Sequence, residues 1–93
     1  MNPASPQQPT WDAVDRALEQ WLAPQDEALR AATAAADHAG LPRIAVSPAQ
    51  GRMLEVLALA IGARRILEIG TLAGFSTIWL ARGLVPGGSL VTL

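Results

Sequence analysis

Glu68, Gly70, Thr71, Gly74 and Ser76 fall within nine consecutive positions, Glu68-Ile69-Gly70-Thr71-Leu72-Ala73-Gly74-Phe75-Ser76. A carboxylate in an apolar surrounding is costly unless it is paired or faces a polar ligand. Gly70 permits a tight turn and the close approach of a ligand to the backbone, and Gly74 permits close packing where a helix begins. Ser76 would then sit in the first helical turn, where backbone N–H groups and a hydroxyl can hold a carboxylate or phosphate. This set is suited to binding an anionic small molecule, and nothing in it is a nucleophile–base pair.

The elements that must position these residues follow from hydrophobic pattern. Ile66-Leu67-Glu68-Ile69 is a short β-branched, apolar run of the kind found inside a parallel sheet, with Glu68 near its carboxyl end, where open α/β sheets meet their ligands. Phe75, Ile78, Trp79 and Ala81 then recur at helical spacing, so one face of the following helix is expected on the sheet. Pro86-Gly87-Gly88 is a turn signal and Ser89 to Leu93 starts a second strand. Strand, helix, turn and strand make a βαβ unit with parallel strands.

Two other glycine patterns do not fit. The dinucleotide fingerprint needs glycine where Leu72 stands. A Gly-x-x-x-Gly membrane packing face needs a spanning helix, but the uncharged run from Ile69 to Ala81 is bounded by Glu68 and Arg82 and is too short.

Glu68-Ile69-Gly70-Thr71-Leu72-Ala73-Gly74-Phe75-Ser76 resembles the first cofactor motif of S-adenosylmethionine-dependent O-methyltransferases of the catechol and caffeoyl-CoA type. The likeness extends upstream through Ser47-Pro48-Ala49-Gln50-Gly51-Arg52-Met53-Leu54 and downstream through Pro86 to Leu93. It implies an α/β fold: amino-terminal helices followed by the first βαβ unit of a Rossmann-like methyltransferase fold, incomplete within this sequence. It implies a cofactor set of Val46, Glu68, Gly70, Thr71 and Ser76, with Gly70 and Thr71 against the methionine portion and Ser76 hydrogen-bonded to its carboxylate. Val46 enters because the connector before the Ser47 helix borders the cofactor in such proteins. By residue type alone it is equally a packing residue.

In the resembled family the acidic residue for the ribose, the metal-binding Asp and Asn residues and the catalytic base come after the strand that ends here at Leu93. The expectation is therefore a methyltransferase fragment, inactive alone, with no catalytic residue and no metal ligand of its own. Its complete form would methylate a small hydroxylated acceptor, in some members with a divalent metal.

The remaining sequence is read as a flexible tail over 1–9, a helical lead-in over 10–46 and the start of the cofactor-binding domain over 47–93. Thr10 is the expected N-cap of a helix reaching about Leu22, with Trp11, Val14, Leu18, Trp21 and Leu22 on one face, read mainly as core. Gln25 to Ala39 is alanine-rich helix, with Asp26 and Glu27 in the first turn and His38, the only histidine, at its end. His38 has no identifiable partner for base catalysis. Ser47-Pro48 starts a helix to about Ile61, apolar nearly all round through Met53, Leu54, Val56, Leu57, Leu59 and Ile61, and so expected between sheet and helices, with Arg52 and Glu55 at its wet edge.

The 93 residues are 51% hydrophobic with net charge −1, which excludes a disordered chain and gives no electrostatic case for nucleic acid or an anionic membrane. The seven basic residues are all arginine, and only Arg64 and Arg65 are adjacent. There is no cysteine, hence no disulfide, thiolate metal site or cysteine nucleophile. The amino terminus is neither basic nor apolar, so a cytoplasmic location is expected. An alternative reading is a non-catalytic helical interaction module or decayed methyltransferase, its tryptophan-bearing helix and unpaired strand edges docking on a partner or forming a homodimer.

Overall fold

The computed structural model describes residues 6–93. Its elements run α1 (Gln8–Leu22), α2 (Glu27–His38), α3 (Pro48–Ala60), β1 (Arg65–Glu68), α4 (Phe75–Arg82) and β2 (Ser89–Thr92). The strands pair in parallel, with Arg65 opposite Ser89 and Glu68 opposite Thr92.

Helix starts follow cap chemistry. Ser47 and Gln50 form a reciprocal capping box at α3, with Pro48 in the first turn. Asp26 is the N-cap of α2, not a member of its first turn, and accepts from Leu29 N–H at 3.1 Å. The N-cap of α1 is Gln7, three residues before the expected Thr10; it makes no side-chain cap bond, and Pro9 lies just inside the helix that starts at Gln8. Of the tail expected over 1–9, residues 1–5 lie outside the described part.

The buried core lies between α2 and α4. Ala23, Leu29, Ala32, Phe75 and Trp79 form one cluster, with Val46 and Ile78 packed against it. Leu29 and Trp79 are the largest fully buried side chains. Trp79 reaches this depth because α3 carries a glycine beneath it: a Cβ at Gly51 would overlap the indole ring.

Three packing expectations are corrected. Trp11 and Trp21 are 54% and 73% exposed, because α1 packs chiefly along α3, which leaves Leu18 partly covered and the two tryptophans outside the contact. α3 is not enclosed: Met53, Val56, Leu57, Leu59 and Ile61 are exposed, since a two-stranded sheet is too narrow to form a second layer over it. Glu55, expected at the wet edge, is only 8% exposed; it pairs with Arg52 at 2.6 Å and lies where α3 meets Gly83. His38 closes α2 on the surface, as expected. No described helix is long and apolar enough to cross a membrane.

Candidate functional site

The turn from β1 to α4 carries most of the predicted residues, and its backbone explains their types. Gly74 has φ +89° and caps α4 in the left-handed region, while a Cβ there would meet nothing within 4 Å. Glycine is thus required by the turn's conformation and not by close packing, which corrects the expected reason. Leu72 has φ +49° without being glycine. The position that departs from the dinucleotide fingerprint is therefore itself a strained one, a conformation costing an L-residue roughly 1–2 kcal/mol.

The turn is held from the far strand. Leu93 carbonyl accepts both Gly70 N–H at 2.7 Å and Thr71 N–H at 3.0 Å, and Leu93 N–H donates to Glu68 carbonyl at 2.9 Å. In α4, Ile78 N–H reaches back to Gly74 carbonyl at 3.0 Å. The N–H groups before it belong to the first turn, which has no intrahelical acceptors and points its positive end at the loop.

Glu68 ends β1, half-buried, in a shell of hydroxyls. Ser76 Oγ donates to Oε2 at 2.6 Å, Thr77 Oγ1 donates to Oε1, and Thr92 Oγ1 donates to Oε1 at 2.8 Å. Burial raises the pKa of this carboxyl, but the bonds from Ser76, Thr77 and Thr92 together outweigh it and hold the group below its ordinary value. Thr71 Oγ1 lies 2.6 Å from Thr92 Oγ1.

A cavity of about 500 Å³ opens beside this network. One wall is the second half of α2 with the connector Leu41 to Val46; the other is Gly70 to Ala73 with Phe75 and Ser76. Val46, Gly70, Thr71 and Ser76 are thereby brought to one space. Glu68 stands behind that wall, among its hydroxyl partners, and is not part of the lining. His38 is not part of it either. Thr77 and Thr92 were missed by sequence reasoning. The signal for Thr92 was its place as a hydroxyl between the apolar Val91 and Leu93 opposite the end of β1, which becomes visible only once the strand register is known.

The cavity size suits a nucleoside-sized ligand, within the roughly 300–1,000 Å³ of small-molecule sites. Its polar end, with first-turn N–H groups and hydroxyls, suits a carboxylate. Among the described residues no group of three or more His, Cys, Asp or Glu side chains could hold a metal ion.

Known proteins share this fold. The chain is 62% identical over 87 residues to a catechol O-methyltransferase of Mycobacterium tuberculosis, covering 94% of this chain and 40% of that protein. The O-methyltransferase of Bacillus cereus in complex with SAH superimposes with a TM-score of 0.86 at 51% identity, covering 90% of this chain and 38% of the other. The O-methyltransferase TomG of Streptomyces achromogenes in complex with SAM does so at 0.88 and 49%, covering 95% and 40%. The chain thus spans about two fifths of the length of these relatives. It carries the corresponding portion of a Rossmann-like methyltransferase fold. The family model for O-methyltransferases matches residues 20–93, and the chain belongs to the O-methyltransferase family.

Proposed function

We propose that this chain supplies the first cofactor half-site of an S-adenosylmethionine-dependent O-methyltransferase acting on a small hydroxylated acceptor. The observation that carries the proposal is the convergence of Val46, Gly70, Thr71 and Ser76 on one cavity at the amino-terminal end of α4. The relatives crystallised with SAM and SAH support the choice of ligand.

When bound, the cofactor supplies an electrophilic methyl group on its sulfonium for transfer to a hydroxyl oxygen. The chain's own residues bind and orient. Gly70 and Thr71 lie along the methionine portion, with no side chain at Gly70 to obstruct it. The first-turn N–H groups of α4 take the carboxylate, and Ser76 turns its hydroxyl from Glu68 to the same group. Val46, packed against the buried cluster, closes the apolar side. Glu68 fixes the hydroxyls of the turn from behind. Such positioning is the larger part of what a methyl transfer needs. No residue here is assigned a catalytic or metal-ligating role.

A second reading, association with a second copy, draws on the exposed apolar faces of α1 and of the sheet at Leu67, Val91 and Leu93. Calorimetric titration with SAM tests the main proposal. Saturable heat in the intact chain, lost or much weakened in Ser76→Ala, supports it; no heat at about 1 mM cofactor removes it. Sedimentation of the chain over a concentration series tests association.

A further inference from the structure

We infer that Thr92 and Thr77 are positioning residues of the cofactor half-site, retaining the Glu68 carboxylate when Ser76 turns its hydroxyl to the ligand. This inference deepens the proposed function and rests on it.

Each hydroxyl has one proton, which fixes the direction of the network. Thr92 gives its proton to Glu68 Oε1, so in the 2.6 Å contact between Thr71 and Thr92 the donor is Thr71. The protons of Thr71, Thr92, Thr77 and Ser76 all run toward one carboxylate. The network thereby joins four places around the cavity wall: the turn at Thr71, the end of β2 at Thr92, the end of β1 at Glu68 and the first turn of α4 at Ser76 and Thr77.

Only Ser76 and Thr71, of these five residues, line the cavity. Ser76 alone bonds Oε2, whereas Oε1 is held twice, by Thr77 and Thr92. A ligand carboxylate at the start of α4 draws the Ser76 proton away and leaves Oε2 bare. The doubled bond on Oε1 then keeps Glu68 partnered and keeps α4 tied to both strands. Without it, a half-buried carboxylate loses its compensation and repels the arriving ligand carboxylate. The groups that act on Glu68 from α4 and β2 are these hydroxyls, and no charged side chain contributes to its shift among the described residues.

The test compares the intact chain with Thr92→Val, Thr92→Ser and Thr77→Val. Affinity for SAH is read by calorimetry, and the Glu68 carboxyl titration by carbon NMR without ligand. Thr92→Val is expected to weaken SAH about tenfold, on the scale of a lost hydrogen bond to a charged group, and to move the Glu68 titration to higher pH. Thr92→Ser restores both readings. Thr77→Val, which leaves β2 intact, moves both in the same direction. Folded Thr92→Val or Thr77→Val with affinity within about twofold of the intact chain overturns the inference, as does failure of Thr92→Ser to restore binding. Absence of SAH uptake by the intact chain instead removes the cofactor reading itself, and the positioning role with it.

Discussion

Asp26 and Arg82, separated by 56 residues of sequence, are joined by a hydrogen-bonded ion pair that fastens the start of α2 to the last turn of α4. The same carboxylate accepts Leu29 N–H through its other oxygen. One side chain therefore caps one helix and anchors another, across the two elements that enclose the buried core. The Leu29 N–H bond is the main cause of its lowered pKa; burial opposes it and Arg82 adds to it. Asp26→Ala should lower the thermal midpoint more than Asp26→Asn, which keeps an N-cap acceptor and loses only the charge. Added salt should narrow the gap between intact chain and Asp26→Asn. Equal midpoints for the two variants would show that the cap contributes nothing.

Gly51→Ala should destabilise the fold by about 1–3 kcal/mol, the usual range for overpacking a filled site. The added methyl would overlap the Trp79 indole, which is 2% exposed and has no room to retreat. Urea unfolding measures the change, and quenched or shifted Trp79 fluorescence is expected with it.

Leu72→Gly should leave stability within about 1 kcal/mol of the intact chain. Relief of a left-handed leucine at φ +49° is opposed by glycine's larger backbone entropy in the unfolded state, two effects of similar size. Gly74→Ala has no such compensation. At φ +89° it should cost at least about 1 kcal/mol and weaken SAM binding by displacing the first turn of α4. The two variants are compared in the same unfolding and titration experiments.

Acid should destabilise the intact chain more than Glu68→Gln. The Glu68 pKa is lowered in the folded state, so its contribution is present above the ordinary carboxylate pKa and is lost as pH falls through the lower, folded value. Thermal midpoints measured from pH 7 down to about 3 should fall along a shallower acid limb in the variant. Parallel curves would contradict the hydroxyl network around Glu68.

Elements whose signals are local are legible in the sequence. Ser47-Pro48 marks the start of α3, the apolar run marks β1, and Gly74-Phe75 marks the start of α4. Val46, Gly70, Thr71 and Ser76 come together because a short turn and one connector bring them together. Exposure is not legible in the same way. Trp11 and Trp21 have the spacing of a core face, but spacing tells which residues share a side and not whether anything covers it. Glu55 misleads for the opposite reason: a charged residue reads as wet until its neighbour Arg52 and the close approach of Gly83 are known. One partner of Glu68 is hidden in the sequence because Thr92 stands 24 positions away and meets it only through strand pairing.

That pairing has another consequence. Glu68 and Thr92 are register partners, and Thr92 is flanked by Val91 and Leu93, neither of which can donate a side-chain proton. A slip of one residue would set an apolar side chain beside the carboxylate and turn the hydroxyl to the opposite face. The misaligned sheet would cost the carboxylate one of its three hydroxyl donors, so the threonine also works as a proofreader, penalising a one-residue slip of the two strands.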